Sequence, residues 1–183
     1  MLEKLRESLK DCPIVDINGY PYFIHPMTDG IPFMDPILLD EVVDAIEEIG
    51  TMGADIIVTP EAMGIQIAAA VSIRTRIPYS VIRKRKYGIP GEIRMSQHTG
   101  YSKSDMYMNG IKKGDRVLIL DDVLSTGGTI KSIIDALKSV GADVAGAIVV
   151  FGKGDCVTTE KELGIPVVTL LDVNIVNGKI IVS

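Results

Sequence analysis

The stretch VLILDDVLSTGGTI, from Val117 to Ile130, decides the fold of this chain. Its first four residues, Val117–Leu120, form the kind of short apolar run that is typical of a buried strand. Two adjacent carboxylates, Asp121 and Asp122, follow, and then a loop of small, hydroxylated and glycine residues. Because the residues after this loop repeat apolar side chains at helical spacing, the stretch predicts a strand, an acidic strand end, a glycine-rich loop and a helix.

Strand-like and helix-like segments alternate on both sides of this stretch. Short apolar runs typical of strands occur at residues 54–59, 78–84, 143–151 and 166–173, and helical patterns at 36–49, 65–75 and 129–140. Strands that alternate with helices build βαβ units, so we expect an α/β fold with a parallel twisted sheet flanked by helices. Residues 86–110 have no strong period and predict a flexible lid hairpin.

The composition indicates a globular protein with one domain, residues 1–183. Apolar residues make up 46% of the chain, and no apolar run approaches the roughly 20 residues that a membrane helix needs. With a charged N-terminus, this predicts a cytoplasmic protein that has no membrane partner. A net charge of −5 disfavours a nucleic-acid partner. Only two histidines and two distant cysteines are present, which disfavours a histidine-rich zinc site or a structural disulfide.

The loop after the acidic pair is suited to an anion. It consists of Ser125, Thr126, Gly127, Gly128 and Thr129. Consecutive backbone N–H groups in such a loop converge on one phosphate, assisted by the positive end of the helix dipole. The carboxylates suit hydroxyl donors or a divalent cation instead. The predicted ligand therefore carries a phosphate beside a diol, as ribose 5-phosphate does.

These residues resemble a known signature. VLILDDVLSTGGT is similar to the phosphoribosyl-pyrophosphate motif of type I phosphoribosyltransferases. VTPEAMGIQIAAAVS resembles the pyrophosphate loop and following helix of that family, and VIRKRKYGIPGEI the strand and basic turn of adenine phosphoribosyltransferases. PYFIHPMTDGIPFMDP resembles their N-terminal hood, here about residues 12–34. The whole chain most resembles the archaeal-type hypoxanthine/guanine phosphoribosyltransferases, which share the adenine-type plan.

The resemblance implies a reaction and roles for several residues. The family transfers ribose 5-phosphate from phosphoribosyl pyrophosphate to a purine base with Mg²⁺, which here would give IMP or GMP and pyrophosphate in purine salvage. Asp121 and Asp122 would be catalytic, and would contact the ribose hydroxyls and, through substrate or water, the metal. Residues 125–129 would hold the 5-phosphate. The residues implied at the pyrophosphate are Glu61, Ala62, Met63, Gly64, Arg83 and Lys84.

The resemblance also implies partners and leaves the base open. Basic residues in the place of Arg83 and Lys84 act partly from the neighbouring subunit in relatives, which implies a homodimer. The implied base pocket contains Phe23, Ile24, His25 and Lys153, the lysine donating to a 6-oxopurine. The chain departs from the family pattern at the two positions where relatives carry a residue that handles the proton of the purine. Ser125 stands where common hypoxanthine/guanine enzymes have an aspartate, and Gly100 stands where adenine-type enzymes often have a glutamate.

Two alternatives remain open from the sequence. One is an adenine phosphoribosyltransferase. The other is a non-catalytic regulator that senses phosphoribosyl pyrophosphate, although such regulators typically carry a helix-turn-helix domain, and the short charged segment before Cys12 favours the enzyme.

Overall fold

A computed structural model describes residues 2–17, 19–98, 103–154 and 161–183. The helices are α1 (Glu3–Ser8), α2 (Pro26–Asp29), α3 (Pro36–Ile49), α4 (Gly64–Thr75) and α5 (Gly128–Ser139). The strands are β1 (Ile14–Ile17), β2 (Tyr20–Phe23), β3 (Ile56–Pro60), β4 (Tyr79–Ile82), β5 (Ile93–His98), β6 (Lys103–Met108), β7 (Arg116–Leu124), β8 (Asp143–Lys153), β9 (Val167–Val176) and β10 (Lys179–Val182). No helix in these ranges is long and apolar enough to cross a membrane.

The central sheet has six strands in the order β10-β9-β8-β7-β3-β4. Strands β9, β8, β7, β3 and β4 are parallel, which confirms the predicted α/β class. The edge strand β10 is antiparallel to β9 and was not predicted. Its sequence signal is the dipeptide Asn177-Gly178, whose residues both have positive φ, as a two-residue hairpin turn requires.

Alternate side chains of β7 enter two separate apolar clusters, one on each side of the sheet. Leu118 and Leu120 join the cluster that contains the inner faces of α3 and α4 and the hood residue Phe23. Val117 and Ile119 join the cluster that contains the inner face of α5. Because successive strand residues point to opposite faces, a strand covered by helices on both sides is apolar throughout.

The segment predicted as a lid is an antiparallel hairpin, β5–β6, in which Ile93 pairs with Met108. Three of its methionines are buried in the α5-side cluster: Met95, Met106 and Met108. The arms of the hairpin are therefore anchored in the core. Its connecting residues 99–102, which include the Gly100 and Tyr101 positions, lie outside the described residues.

Helix α3 begins and ends where its sequence predicts. The Asp35 carboxylate accepts a hydrogen bond from the Ile37 amide at 2.9 Å, Pro36 occupies the first turn, and Gly50 ends the helix with φ of 84°. A capping carboxylate satisfies a backbone N–H group that has no partner within the helix.

Replacing this cap tests its contribution to stability. We expect Asp35→Ala to lower the free energy of unfolding by about 1 kcal/mol, measured by urea denaturation, because the Ile37 amide loses its acceptor. The matched control is Asp135→Ala on α5, whose ion pair with Lys131 is more than 60% exposed at both ends and should contribute little. Equal losses in the two variants would contradict the capping role.

Candidate active site

The acidic pair lies inside the last part of β7 rather than after it. The strand was predicted to end at Leu120, but its pairing with β8 continues to Leu124, opposite Gly152. The extension is explained by the neighbouring strand, which itself runs to Lys153, and by the burial of the Leu124 side chain. Asp121 and Asp122 are therefore held by strand geometry, and the phosphate loop begins at residue 125.

Asp121 is the more buried of the two carboxylates, with 8% of the residue exposed. Its Oδ1 accepts a hydrogen bond from the Asp122 amide at 2.9 Å. Burial and the neighbouring charge of Asp122 raise the pKa of Asp121 well above its usual value, and burial also raises the pKa of Asp122. Carboxylates in such a place are stabilised by a ligand that brings hydroxyl donors or positive charge.

The loop after the pair presents backbone N–H groups at the start of α5. Gly127 is the N-cap residue, with φ of 72°, and its carbonyl accepts the Lys131 amide at 2.8 Å. Because the N-cap is a glycine, it has no side chain that could occupy the N–H groups of the first turn. Ser125 and Thr126 are exposed beside them. This is a suitable site for a phosphate.

The second predicted loop, Glu61–Gly64, packs directly against the acidic strand end. A Cβ atom on Gly64 would lie 2.1 Å from Thr59 Oγ1 and 3.3 Å from both Asp121 Oδ1 and the Leu120 carbonyl. Only a glycine fits in this space. The close approach brings the loop predicted for pyrophosphate into contact with Asp121, one of the two carboxylates predicted for ribose.

Glu61 connects this loop to the basic turn after β4. Its Oε2 lies 2.8 Å from Arg83 Nε, and its Oε1 accepts the Lys84 amide at 2.6 Å. The Glu61 carboxylate thus faces a cation and an amide. A carboxylate would repel a phosphate, so the part of this loop suited to an anion is the backbone of Ala62–Gly64, with Arg83 beside it.

A pocket of about 390 Å³ extends from the phosphate loop toward the hood. Its lining comes from β2, the phosphate loop, the end of β8 and strand β9: Tyr20, Pro21, Ser125, Thr126, Lys153, Gly154, Val173, Asn174 and Ile175. Mostly apolar walls with a few polar groups are typical of small-molecule sites. The contributions of β2 and β9 were missed, because the strand pattern does not reveal which strand face borders the site.

Three residues predicted for the base pocket do not belong to this lining. Phe23 and His25 are 1% and 0% exposed, and the rings of both lie edge-on to Phe151. Ile24 is half-buried, and its amide donates to the Pro13 carbonyl at 2.9 Å. Phe23 and His25 therefore support the pocket from within the core.

His25 is a structural residue of the hood. Its Nδ1 accepts the Met27 amide at 3.0 Å, so the neutral ring carries its proton on Nε2, which lies 2.8 Å from Ser8 Oγ. Burial lowers the pKa of His25 to about 4. The ring is neutral at physiological pH and joins α1 to the hood.

Lys153 is the predicted base residue that does line the pocket. Its Nζ lies 4.4, 4.8 and 5.7 Å from the ring centroids of Phe23, Tyr22 and Tyr20. Burial lowers the pKa of Lys153, and the charges of Asp29 and Asp122 oppose this shift. The hood thus surrounds the ammonium group with aromatic faces.

Comparison with known proteins agrees with this geometry. The phosphoribosyl transferase domain profile matches residues 27–178. The hypoxanthine/guanine phosphoribosyltransferase of Methanohalophilus mahii is 53% identical over 175 residues, which cover 96% of this chain and 92% of that protein. The enzyme of the same name from Methanobacterium paludis is 46% identical over 185 residues, which cover 100% of this chain and 97% of that protein.

Solved structures share the fold. The adenine phosphoribosyltransferase of Thermoanaerobacter pseudethanolicus superimposes with a TM-score of 0.76, over 94% of this chain and 99% of that chain, at 21% identity. That of Trypanosoma brucei, solved with AMP, pyrophosphate and ribose-5-phosphate, gives a TM-score of 0.77 over 93% of this chain and 79% of that chain, at 19% identity. At these identities the likeness concerns the fold alone.

The contact between the Glu61–Gly64 loop and the acidic end of β7 generates a prediction. We expect Gly64→Ala to lower the free energy of unfolding by about 1–3 kcal/mol in urea denaturation, because the added methyl group forces Thr59 and the strand end apart. The control is Ser72→Ala, a half-buried position on the same helix. A Gly64→Ala variant as stable as the control would show that the Glu61–Gly64 loop does not pack against the end of β7 as described.

Proposed function

The chain belongs to the phosphoribosyltransferases, and we propose that the site at the end of β7 transfers ribose 5-phosphate from phosphoribosyl pyrophosphate to hypoxanthine or guanine. The products are IMP or GMP and pyrophosphate, a step of purine salvage. One observation carries this function: Ser125 and Thr126 of the phosphate loop line one pocket together with Lys153, and the acidic pair directly precedes that loop on β7. The identity of 53% to a hypoxanthine/guanine enzyme over nearly the whole chain supports the choice of base.

The phosphate loop and the acidic pair bind different parts of the phosphoribosyl group. The backbone N–H groups of residues 125–129 hold the 5-phosphate, and Asp121 and Asp122 accept hydrogen bonds from the ribose hydroxyls. As the bond between ribose C1 and pyrophosphate breaks, positive charge grows on the sugar. The carboxylates stabilise this charge, and at a site partly removed from water their effect exceeds that in water.

Pyrophosphate leaves toward the second loop. Backbone N–H groups of Ala62–Gly64 and the side chains of Arg83 and Lys84 bind the negative charge that develops on it. Glu61 keeps Arg83 in place through their 2.8 Å ion pair. In a homodimer, the exposed side of this basic turn would also serve the site of the neighbouring subunit.

The donor set at the acidic pair suits Mg²⁺, which favours oxygen ligands and binds through one or two carboxylates, substrate phosphates and water. Within the described ranges, no group of three or more acidic, histidine or cysteine side chains forms a metal cage. A metal ion that is bound mainly by the substrate needs no such cage. Asp121 and Asp122 would hold it indirectly, and when bound it would neutralise charge on the pyrophosphate.

The base enters between the hood and β9. Lys153 donates a hydrogen bond to the 6-oxo group, while Tyr20, Pro21 and Ile175 supply apolar walls. In the complex, the hood of residues 12–34 and the predicted lid of residues 86–110 would cover the site of this single domain and exclude water, which would otherwise hydrolyse the cationic sugar.

A transfer assay tests the function. The chain is incubated with Mg²⁺, phosphoribosyl pyrophosphate and, separately, hypoxanthine, guanine, adenine, xanthine and orotate, and the nucleotides are separated and identified. We expect IMP and GMP without AMP. AMP alone would move the protein to the adenine class, and no product with any base would favour a sensor of phosphoribosyl pyrophosphate.

Replacing Asp122 tests whether the carboxylates act in the reaction and not in the stability of the fold. We expect Asp122→Asn to lower kcat/KM at least about 100-fold, since one removed transition-state electrostatic contact costs that order of rate. The variant should be at least as stable as the parent near pH 7. Burial raises the pKa of Asp122, so its ionisation lowers stability as the pH rises above the unfolded value of about 3.9.

The control for this variant is Asp143→Asn, at the opposite end of the sheet, where the carboxylate pairs with Arg116. It should retain full activity. Kinetics and urea denaturation on both variants provide the test. Full activity in Asp122→Asn, or a loss explained by unfolding, would refute the ribose role.

A further inference from the structure

We propose that Asp29 is a positioning residue which, with Tyr22, orients Lys153 as a charged donor and thereby selects 6-oxopurines over 6-aminopurines; the inference rests on the proposed function. Asp29 ends α2 in the hood, and no sequence motif distinguishes it. It does not line the pocket among the described residues. Its effect on the base therefore passes through other side chains.

The Asp29 carboxylate is fixed by three hydrogen bonds. Oδ2 accepts from the His25 amide at 3.0 Å and from Thr28 Oγ1 at 2.6 Å, and Oδ1 accepts from the Tyr22 hydroxyl at 2.9 Å. Because His25 is itself held by Ser8 and Met27, the carboxylate has a rigid support. The Tyr22 ring is consequently fixed as well.

The fixed tyrosine ring is one wall of the space around Lys153. Nζ lies 4.8 Å from the Tyr22 centroid and 4.4 Å from that of Phe23, distances at which an ammonium group is attracted to an aromatic face. The attraction exists only for the charged form. Both rings therefore favour a protonated Lys153 and restrict the direction in which its stem extends.

Asp29 also acts on Lys153 through its charge. Burial lowers the pKa of Lys153, and Asp29 is the largest influence that raises it, followed by Asp122. Asp122 faces the ribose in the proposed complex, so Asp29 is the hood's own counter-charge. Removing it leaves the ammonium group with less compensation for its burial.

A charged lysine discriminates between the two base classes. An ammonium group has three donors and no acceptor, so it binds the 6-oxo group of hypoxanthine or guanine but opposes the 6-amino group of adenine. A site that leaves a buried donor unpaired rejects the wrong substrate strongly. The preference should consequently depend on whatever keeps Lys153 charged and aimed at the base.

Asp29→Asn removes the charge and preserves the shape. The side-chain oxygen of the introduced asparagine accepts from the His25 amide and Thr28 Oγ1, and its NH₂ group donates to the Tyr22 hydroxyl, which is able to accept as well as donate. Tyr22→Phe is the second variant: it keeps the ring and the charge but loses the hydrogen bond. Asp16→Asn, on β1 of the same hood, is the matched control for lost negative charge.

The measurement is kcat/KM for hypoxanthine and for adenine, with separate KM values for base and phosphoribosyl pyrophosphate and a urea unfolding curve for each variant. For Asp29→Asn we expect at least about a 10-fold rise in KM for hypoxanthine and about a 10-fold loss of preference over adenine. KM for phosphoribosyl pyrophosphate should change less than about twofold. Tyr22→Phe should shift the preference in the same direction by less, and Asp16→Asn should leave it unchanged.

An unchanged preference in Asp29→Asn, or equal losses for both bases, would overturn the inference and leave the proposed function intact. If Asp29→Asn fails to fold, Tyr22→Phe decides in the same way, since an unchanged preference there excludes the orienting contact. If the parent protein forms no IMP or GMP, the proposed function fails and this inference with it.

Discussion

At the end of β7 there is no room for a side chain at residue 64. The Gly64 backbone lies against Thr59 Oγ1 and Asp121 Oδ1, so the Glu61–Gly64 loop and the acidic end of β7, which are far apart in sequence, share one wall. The rest of the site depends on this contact. It sets the distance between the amides that suit a leaving pyrophosphate and the carboxylates that suit a ribose, while the parallel pairing of β3 with β7 keeps both in register.

The charges of the site are arranged around this contact. Asp121 is buried at its centre and Asp122 is half-buried beside it, while Arg83, Lys84 and Lys153 supply the positive charge of the proposed site. Two of these cations are held by groups behind them: the Glu61 carboxylate pairs with Arg83, and the rings of Tyr22 and Phe23 contact the ammonium group of Lys153. Preorganised groups of this kind need little rearrangement during the reaction, and that is where electrostatic catalysis gains most.

The sequence predicts those parts of the molecule that depend on local chemistry. Helix α3 follows from Asp35 and Gly50, and the strand–loop–helix around the phosphate site from its apolar run and glycines. The extension of β7 to Leu124 depends on its partner β8, which no local pattern reveals. The dipeptide Asn177-Gly178 is a local signal for the turn between β9 and β10.

The hood shows most clearly which features cannot be predicted from the sequence. Phe23 and His25 were expected beside the base, but both are core residues, because Phe151 and Ser8 provide partners that come from distant parts of the chain. Tyr22 and Asp29, which surround and compensate Lys153, have no distinguishing pattern of their own. Their importance follows only from the tertiary contact between β2, α2 and the end of β8.

A crystal structure of the protein with phosphoribosyl pyrophosphate and Mg²⁺ tests most directly which residues bind the 5-phosphate, the ribose and the pyrophosphate. We expect the 5-phosphate oxygens within hydrogen-bond distance, about 2.7–3.2 Å, of backbone N–H groups in residues 125–129. The ribose hydroxyls should face Asp121 and Asp122, and the pyrophosphate the backbone of Ala62–Gly64. A 5-phosphate bound at Arg83, or ribose hydroxyls turned away from the acidic pair, would contradict the assignment of the site.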